Sequence, residues 1–395
     1  DSRVSDVLRV KFMMGLFDNP YKGDTKKLEK VVHCKEHQNV SMRAALESIV
    51  LLKNENNILP LSKSIKKVAV IGPNAAEVDN LICRYGPANA PIKTVYQGIK
   101  DYLPDSEVRY AKGADIIDEY FPESELYDVP LNKTEETMID EAVALAKESD
   151  VAIMVLGGNE KTVREEYSRT NLDLCGRQEK LLQAVYATGK PVILVMIDGR
   201  AATINWAERY IPGIVHAWFP GEFMGDAIAK VIFGDYNPGG KLAVTFPRSV
   251  GQIPFAFPFK PGSDSKGFVR VTGSLYPFGY GLSYTTFDYS ALKIENPVIG
   301  TQGSVKLSCR VKNTGKIAGD EVVQLYLHDE VSSVTTYVKV LRGFERIHLQ
   351  PGEEKVVDFV LTPQDMGLWN KDNHFIVEQG NFAIMVGSSS QDIRL

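Results

Sequence analysis

The chain has 395 residues, of which 44% are hydrophobic and 24% charged, with a formal net charge of −5. This length and composition predict two or three folded domains of ordinary size. The mild, interspersed charge excludes a basic nucleic-acid surface or a polybasic membrane patch, and the longest apolar runs, such as 192–197, are too short to span a bilayer. We therefore expect neither nucleic acid nor membrane as a partner.

The first 61 residues are charged and favour helices. Between Ser41 and Lys53 apolar residues recur at helical spacing, and Leu59-Pro60 ends the pattern. We predict that 1–61 is a linker and helical lead-in. No secretory signal opens the chain at Asp1, as expected for a mature, processed or truncated product.

Strands and helices alternate between residues 62 and 254. Short apolar runs typical of buried parallel strands occupy 66–73, 106–110, 151–158, 191–199 and 213–221. Helical apolar spacing separates them at 136–149, 178–188 and 223–233. This alternation predicts an α/β sandwich with a mostly parallel sheet, in which functional loops follow the carboxyl ends of the strands.

The C-terminal part of the chain has all-β character. A linker rich in Pro, Gly and aromatic residues is predicted over 255–286, and a β-sandwich over 287–395. Alternating apolar and polar residues predict strands at 305–312, 321–328, 356–361 and 382–387.

The sequence favours no cofactor or metal. Cys34, Cys83, Cys175 and Cys309 match no zinc or redox spacing, so we expect free or buried thiols, with a single Cys34–Cys83 disulfide as the alternative. The VAVIGPNAA segment after the first strand lacks the G-x-G-x-x-G pattern of dinucleotide sites. His216 lies in an apolar strand and is predicted to be a core histidine with satisfied hydrogen bonds.

An acidic loop leaves the carboxyl end of the predicted strand 151–158, where α/β sheets carry their sites. It crowds three glutamates with two arginines, namely Glu160, Glu165, Glu166, Arg164 and Arg169. A carboxylate held near an arginine can have its pKa shifted in either direction by burial and pairing. Composition alone favours the other interpretation, a solvated charged loop.

Two segments carry a family resemblance: WFPGEFMGDAIAKVIFGDYNPGGKLAVTFP at 218–247 and LYPFGYGLSYTTF at 275–287. They resemble the second domain of glycoside hydrolase family 3, the β-glucosidase and β-xylosidase family. Residues 45–61 resemble the lead-in to that domain, and 287–395 resemble the fibronectin-III-like domain that follows it. One departure is GEFMG at 221–225, where relatives carry a Gln-Glu-Gly-Gly-like run.

The resemblance implies a catalytic role for the acidic loop. Family members place the catalytic acid/base, a Glu, shortly before an Arg and a Leu-x-Leu run, which here reads EEYSRTNLDL. A spacing of four residues before Arg169 selects Glu165, and a spacing of three selects Glu166. We favour Glu165, then Glu166, with Glu160 as the remaining candidate.

The same resemblance implies that the nucleophile lies elsewhere. Family members carry a nucleophilic Asp in a Ser-Asp-Trp-like segment of a TIM barrel, and this sequence contains no such segment. We therefore expect the chain to correspond to the back half of a full enzyme and a TIM barrel to be supplied in cis or in trans.

The expected function is part of a retaining β-glycosidase that hydrolyses terminal β-linked glucose or xylose and is inactive as this chain alone. Its substrates would be β-linked oligosaccharides or aryl glycosides, in a secreted or periplasmic location, and a homo-oligomer is left open. The alternative is a non-catalytic carbohydrate-binding or scaffolding protein that kept the fold.

Overall fold

The computed structural model describes residues 1–21, 23–82, 86, 91–263 and 271–395, which divide into two compact units, 1–43 and 44–395. The first unit is helical, as expected: α1 spans Ser2–Met13, α2 spans Thr25–Val31, and α3, at Lys35–Ser48, continues into the second unit. Asp24 caps α2 by accepting a 3.0 Å hydrogen bond from the backbone N–H of Lys26, which satisfies one of the free donors at the helix start.

A six-stranded sheet forms the centre of the second unit. Its strands are β1 (Val50–Asn54), β2 (Lys67–Ile71), β3 (Glu107–Ala111), β4 (Val151–Gly157), β5 (Val192–Ile197) and β6 (Gly213–His216), in the order β1-β6-β5-β4-β2-β3. All neighbouring pairs are parallel except β1 with β6. The predicted mostly parallel sheet is therefore confirmed.

Strand β1 corrects one prediction. Helical spacing was expected to continue to Lys53, but α3 ends at Ser48 and Val50 pairs with His216 in an antiparallel ladder. The Val-Leu-Leu run at 50–52 is completely buried, and a continuous apolar run suits a strand covered on both faces. Local periodicity alone does not separate such a strand from one more helical turn.

Helices cover the sheet. They are α4 (Val95–Tyr102), α5 (Lys133–Lys147), α6 (Gln178–Tyr186), α7 (Asn205–Tyr210) and α8 (Met224–Ile232). A capping box of Asn132 and Glu135 begins α5, and the interior between these helices and the sheet is filled by aliphatic side chains. Apolar spacing in the sequence predicts α5, α6 and α8 but not α4 or α7.

The C-terminal part forms two three-stranded antiparallel sheets. The elements are β7 (Phe287–Glu295), β8 (Val305–Asn313), β9 (Gly319–Asp329), β10 (Val340–Leu349), β11 (Glu354–Leu361), α9 (Pro363–Met366), β12 (Leu368–Trp369), β13 (Phe375–Ile376) and β14 (Phe382–Gly387). The sheets have the orders β10-β9-β14 and β11-β8-β7. Buried and exposed residues alternate along β8, as expected for a sandwich strand with one face in the core.

Aromatic residues after 275 pack the linker against the α/β part. The Tyr280 hydroxyl donates to the carbonyl of Leu52 at 3.1 Å, and the Tyr284 hydroxyl donates to the carbonyl of Val231 at 2.9 Å. On the other side, Nε2 of Gln324 in β9 donates to the carbonyl of Gly279 at 3.0 Å. The linker is thereby fixed to both the sheet and the β-sandwich.

Three of the four cysteines, Cys34, Cys175 and Cys309, carry free thiols in the described part of the chain. Cys83, the other half of the alternative disulfide, lies outside the described residues. Within the described ranges, no helix is both long enough and apolar enough to cross a bilayer.

Candidate active-site loop

The acidic loop begins where β4 ends, at the carboxyl edge of the parallel sheet. Asn74, which follows β2, joins the ends of the two central strands: its Nδ2 donates to the carbonyl of Gly158 at 3.0 Å and to that of Ile197 at 3.2 Å. This edge is where ligands bind in open α/β sheets. The loop is therefore fixed at its origin, at the edge from which it projects.

A tight turn follows the strand. The backbone N–H of Asn159 donates to Oγ1 of Thr162 at 3.0 Å, and both residues are buried. Glu165 and Glu166 lie beyond Val163 and Arg164, in a second turn, and both are exposed. Glu166 has a φ of 74°, a left-handed conformation that costs a non-glycine residue energy and persists only where neighbouring contacts hold it.

The third candidate, Glu160, is engaged differently. Its Oε1 lies 3.3 Å from Nη1 of Arg164 in an ion pair. The same guanidinium stacks on Tyr167, with 4.1 Å between the guanidinium carbon and the ring centroid. Arg164 thus contacts two neighbours within the loop. Glu160 is held in the ion pair with Arg164, whereas Glu165 and Glu166 are exposed.

Arg169 anchors the second half of the loop. It forms a buried ion pair with Glu125, which lies in a short 3-10 helix at 123–125. The other carboxylate oxygen of Glu125 accepts hydrogen bonds from the backbone N–H of Thr170 at 3.0 Å and from its hydroxyl at 2.7 Å. Cys175 packs beside this pair, and burial raises the pKa of its thiol to about 12, so it remains protonated.

Two residues that follow β5, Asp198 and Arg200, complete the surroundings of the loop, and neither is among the predicted site residues. Asp198 is 6% exposed, and its Oδ1 accepts a 3.0 Å hydrogen bond from the backbone N–H of Arg200. Burial raises the pKa of Asp198 to about 6, an effect partly opposed by that hydrogen bond and by the charges of Arg169 and Arg200. The available signal was an Asp-Gly-Arg segment directly after a buried strand, the same positional rule that singled out the acidic loop.

His216 is buried as predicted, but the expectation that its hydrogen bonds are satisfied is wrong. Neither ring nitrogen has a hydrogen-bond partner among the described residues. The ring lies edge-on to Trp218 and Phe246, with centroids 4.2 and 5.3 Å away. Burial lowers its pKa to about 3, so the imidazole is neutral. In the described part of the chain, no cluster of three His, Cys, Asp or Glu side chains is arranged to hold a metal ion.

The fold and loop define a class of two-part proteins: an α/β sandwich with a projecting acidic loop, followed by a small β-sandwich. Residues 49–284 match the glycosyl hydrolase family 3 C-terminal domain, and 321–390 match a fibronectin type III-like domain. The chain belongs to glycoside hydrolase family 3.

Several relatives match along nearly the whole chain. A β-xylosidase of Formosa agariphila is 42% identical over 99% of this chain and 54% of its own length, and a periplasmic β-glucosidase of Salmonella typhimurium is 38% identical over 100% and 54%. The structure of a β-glucosidase from Erythrobacter marinus superposes with a TM-score of 0.89 at 39% identity, covering 97% of this chain and 53% of the other. The chain spans about half the length of the relatives it matches.

Proposed function

We propose that this chain supplies the general acid/base of a retaining β-glycosidase that acts on terminal β-linked glucose or xylose. Glu165 is our first choice for that role and Glu166 the alternative. The observation that carries the proposal is the exposed Glu165–Glu166 turn, which projects from the carboxyl edge of the sheet while both its flanks are anchored to buried groups. Membership of a family of β-glucosidases and β-xylosidases supports the substrate class.

The chemistry needs two carboxyl groups roughly 5 Å apart across the sugar. In our proposal an Asp on a TIM barrel, in cis or in trans, attacks the anomeric carbon while the glutamic acid of the loop protonates the departing oxygen. The resulting glutamate then takes a proton from water, and the hydroxide oxygen displaces the Asp from the sugar.

An exposed loop suits this division of labour. A carboxyl group that works as an acid near neutral pH needs a raised pKa, and removal from water provides it. Contact of the Glu165–Glu166 turn with a barrel and a bound sugar would supply that desolvation only when substrate is present. The periplasmic relative supports a secreted or periplasmic location.

The test uses the chain together with its barrel, assayed on aryl β-glucosides and β-xylosides. Loss of a general acid/base lowers rates by about 10²–10⁴-fold. We expect that loss for Glu165→Gln on substrates with poor leaving groups, recovery with azide on an activated substrate, and at most a tenfold effect, roughly, for Glu166→Gln.

Glu295→Gln, an exposed change in β7, is the matched control. A loss confined to Glu166→Gln would transfer the role to that residue. Wild-type rates in both loop variants would overturn the acid/base proposal, and sugar binding without hydrolysis would favour the scaffolding alternative. This chain alone is expected to hydrolyse nothing, and turnover by it would exclude a nucleophile on a separate barrel.

A further inference from the structure

We propose that Arg200 is a positioning residue for leaving-group protonation, because its guanidinium clamps the turn that carries Glu165 and Glu166. The inference rests on the proposed acid/base function of that turn and adds a residue from a different loop, the one that follows β5.

The clamp consists of two hydrogen bonds from one planar group. Nε of Arg200 donates to the carbonyl oxygen of Thr162 at 3.1 Å, and Nη2 donates to that of Tyr167 at 2.9 Å. These two carbonyls bracket residues 163–166, so the ends of the turn are held at a fixed separation. The donors of a guanidinium have a rigid, planar arrangement, which lets one side chain set that separation.

The base of the clamp is attached to the sheet. Arg200 follows β5 by three residues, and its backbone N–H is bound by the buried carboxylate of Asp198 at 3.0 Å. The turn also fits closely at its inner side: a Cβ at Gly158 would lie 2.2 Å from one methyl carbon of Val163, and a Cβ at Gly199 would lie 2.6 Å from the other. Two glycines from adjacent strand ends thus form the notch that receives Val163.

The turn needs such support. Glu166 has left-handed backbone geometry, and strained residues of this kind are maintained by surrounding contacts. The Glu125–Arg169 ion pair holds only the part of the loop that follows the turn. A catalytic group displaced by about 1 Å loses about 10²-fold in rate, so removal of the Arg200 clamp should impair proton donation specifically.

The variants are Arg200→Gln and Arg200→Lys, made in the chain with its barrel. The matched control is Arg209→Gln, an exposed arginine on α7. Each is assayed on a disaccharide, whose departing oxygen needs a proton, and on a dinitrophenyl glycoside, whose leaving group does not. For Arg200→Gln we expect kcat/KM to fall about 10- to 100-fold on the disaccharide and at most about threefold on the dinitrophenyl glycoside.

If Arg200 had a merely structural role, its loss would lower kcat/KM equally on both substrates or change only the amount of folded protein. Equal losses of kcat/KM would therefore overturn the proposal. Arg200→Lys should recover part of the disaccharide rate at most, because an ammonium cannot reproduce the planar pair of donors. Full recovery with Lys would show that charge, and not the bridging geometry, is what matters, and would also overturn the clamp.

Amide hydrogen exchange on this chain alone provides a readout that needs no barrel. In Arg200→Gln we expect amides of 163–167 to exchange at least about tenfold faster while those of β4 and β5 keep their rates. Unchanged exchange rates would contradict the Arg200 clamp even if Glu165→Gln is inactive. The proposed acid/base function would then hold without the clamp. If both glutamate variants keep full activity while exchange accelerates, the proposed function fails and Arg200 is left as a loop anchor without a role in protonation.

Discussion

Arg169 and Glu125 form an ion pair whose side chains are 6% and 4% exposed, and the pair joins the Glu165–Glu166 loop to the 3-10 helix at 123–125. Removing one member of such a pair leaves a buried charge without its partner, which costs more than the pair itself contributes. The contact therefore matters chiefly because neither residue tolerates the loss of the other.

Glu125→Gln is accordingly expected to favour opening of the loop by about 3–5 kcal/mol. Hydrogen exchange at Thr170 and its neighbours measures this, since it reports loop opening whether it is local or global. The control is Asp128→Asn, which removes an ion pair with Lys180 from a side chain that is 83% exposed and should leave exchange at Thr170 unchanged, because solvent screens such a pair. Similar costs in the two variants would contradict the assignment of a buried, mutually dependent pair.

Because the pKa of Asp198 is raised in the folded protein, we expect the free energy of unfolding to fall as the pH rises. Its folded pKa of about 6 lies above the ordinary value of 3.8, so between roughly pH 4 and 6 the folded state binds more protons than the unfolded state. The contribution of Asp198 to the free energy of unfolding is fully present below that window. It falls by about 3 kcal/mol across it, at 1.36 kcal/mol per pKa unit.

Asp198→Asn keeps an oxygen for the N–H of Arg200 and removes the titration. We expect the variant to gain stability over the parent at pH 7.5 but not at pH 4, measured as the free energy of unfolding in denaturant. An equal difference at both values would show that Asp198 keeps its ordinary pKa in the folded protein.

The lowered pKa of His216 should give the free energy of unfolding the opposite pH dependence. Its folded pKa of about 3 lies below the ordinary 6.5, so its contribution to stability is present above pH 6.5 and is lost as the pH falls towards 3. Relative to the parent, His216→Leu should gain about 2 kcal/mol between pH 7 and pH 5, whatever its packing cost at pH 7. Met196→Leu, in the neighbouring strand, carries no titrating group and should show a pH-independent difference. The same constancy in His216→Leu would contradict the buried, neutral imidazole.

Gly98 on α4 allows close approach to α8. A Cβ at this position would lie 2.2 Å from the carbonyl carbon of Gly225, and backbone cannot give way as a flexible side chain can. Gly98→Ala should lower the free energy of unfolding by about 1–3 kcal/mol or more. Gly251→Ala is the control, because its nearest neighbouring atom would lie 3.6 Å away. Equal thermal midpoints for the two variants would show that the helices can separate at little cost.

The element order of the α/β part was predictable because burial leaves a local record. Strands β4 and β5 are buried at every position and therefore read as continuous apolar runs, while α5 and α6 carry one apolar face. Strand β1 was not predicted because its three buried residues follow a helix without a break in apolar spacing. Helix α7 was not predicted because six residues are too few to give a periodic signal.

The features of the candidate loop also fall into two groups, those that the sequence determines and those that depend on the tertiary structure. The sequence by itself determined the family, the edge of the sheet from which the loop projects, and the two adjacent glutamates, because these depend on motifs and strand order. Only the tertiary structure decided that Arg169 pairs with Glu125 across 44 positions and that Arg200 bonds the carbonyls of Thr162 and Tyr167. The physical reason is that a charged side chain has many partners available along the chain, and the fold selects the one that is buried beside it.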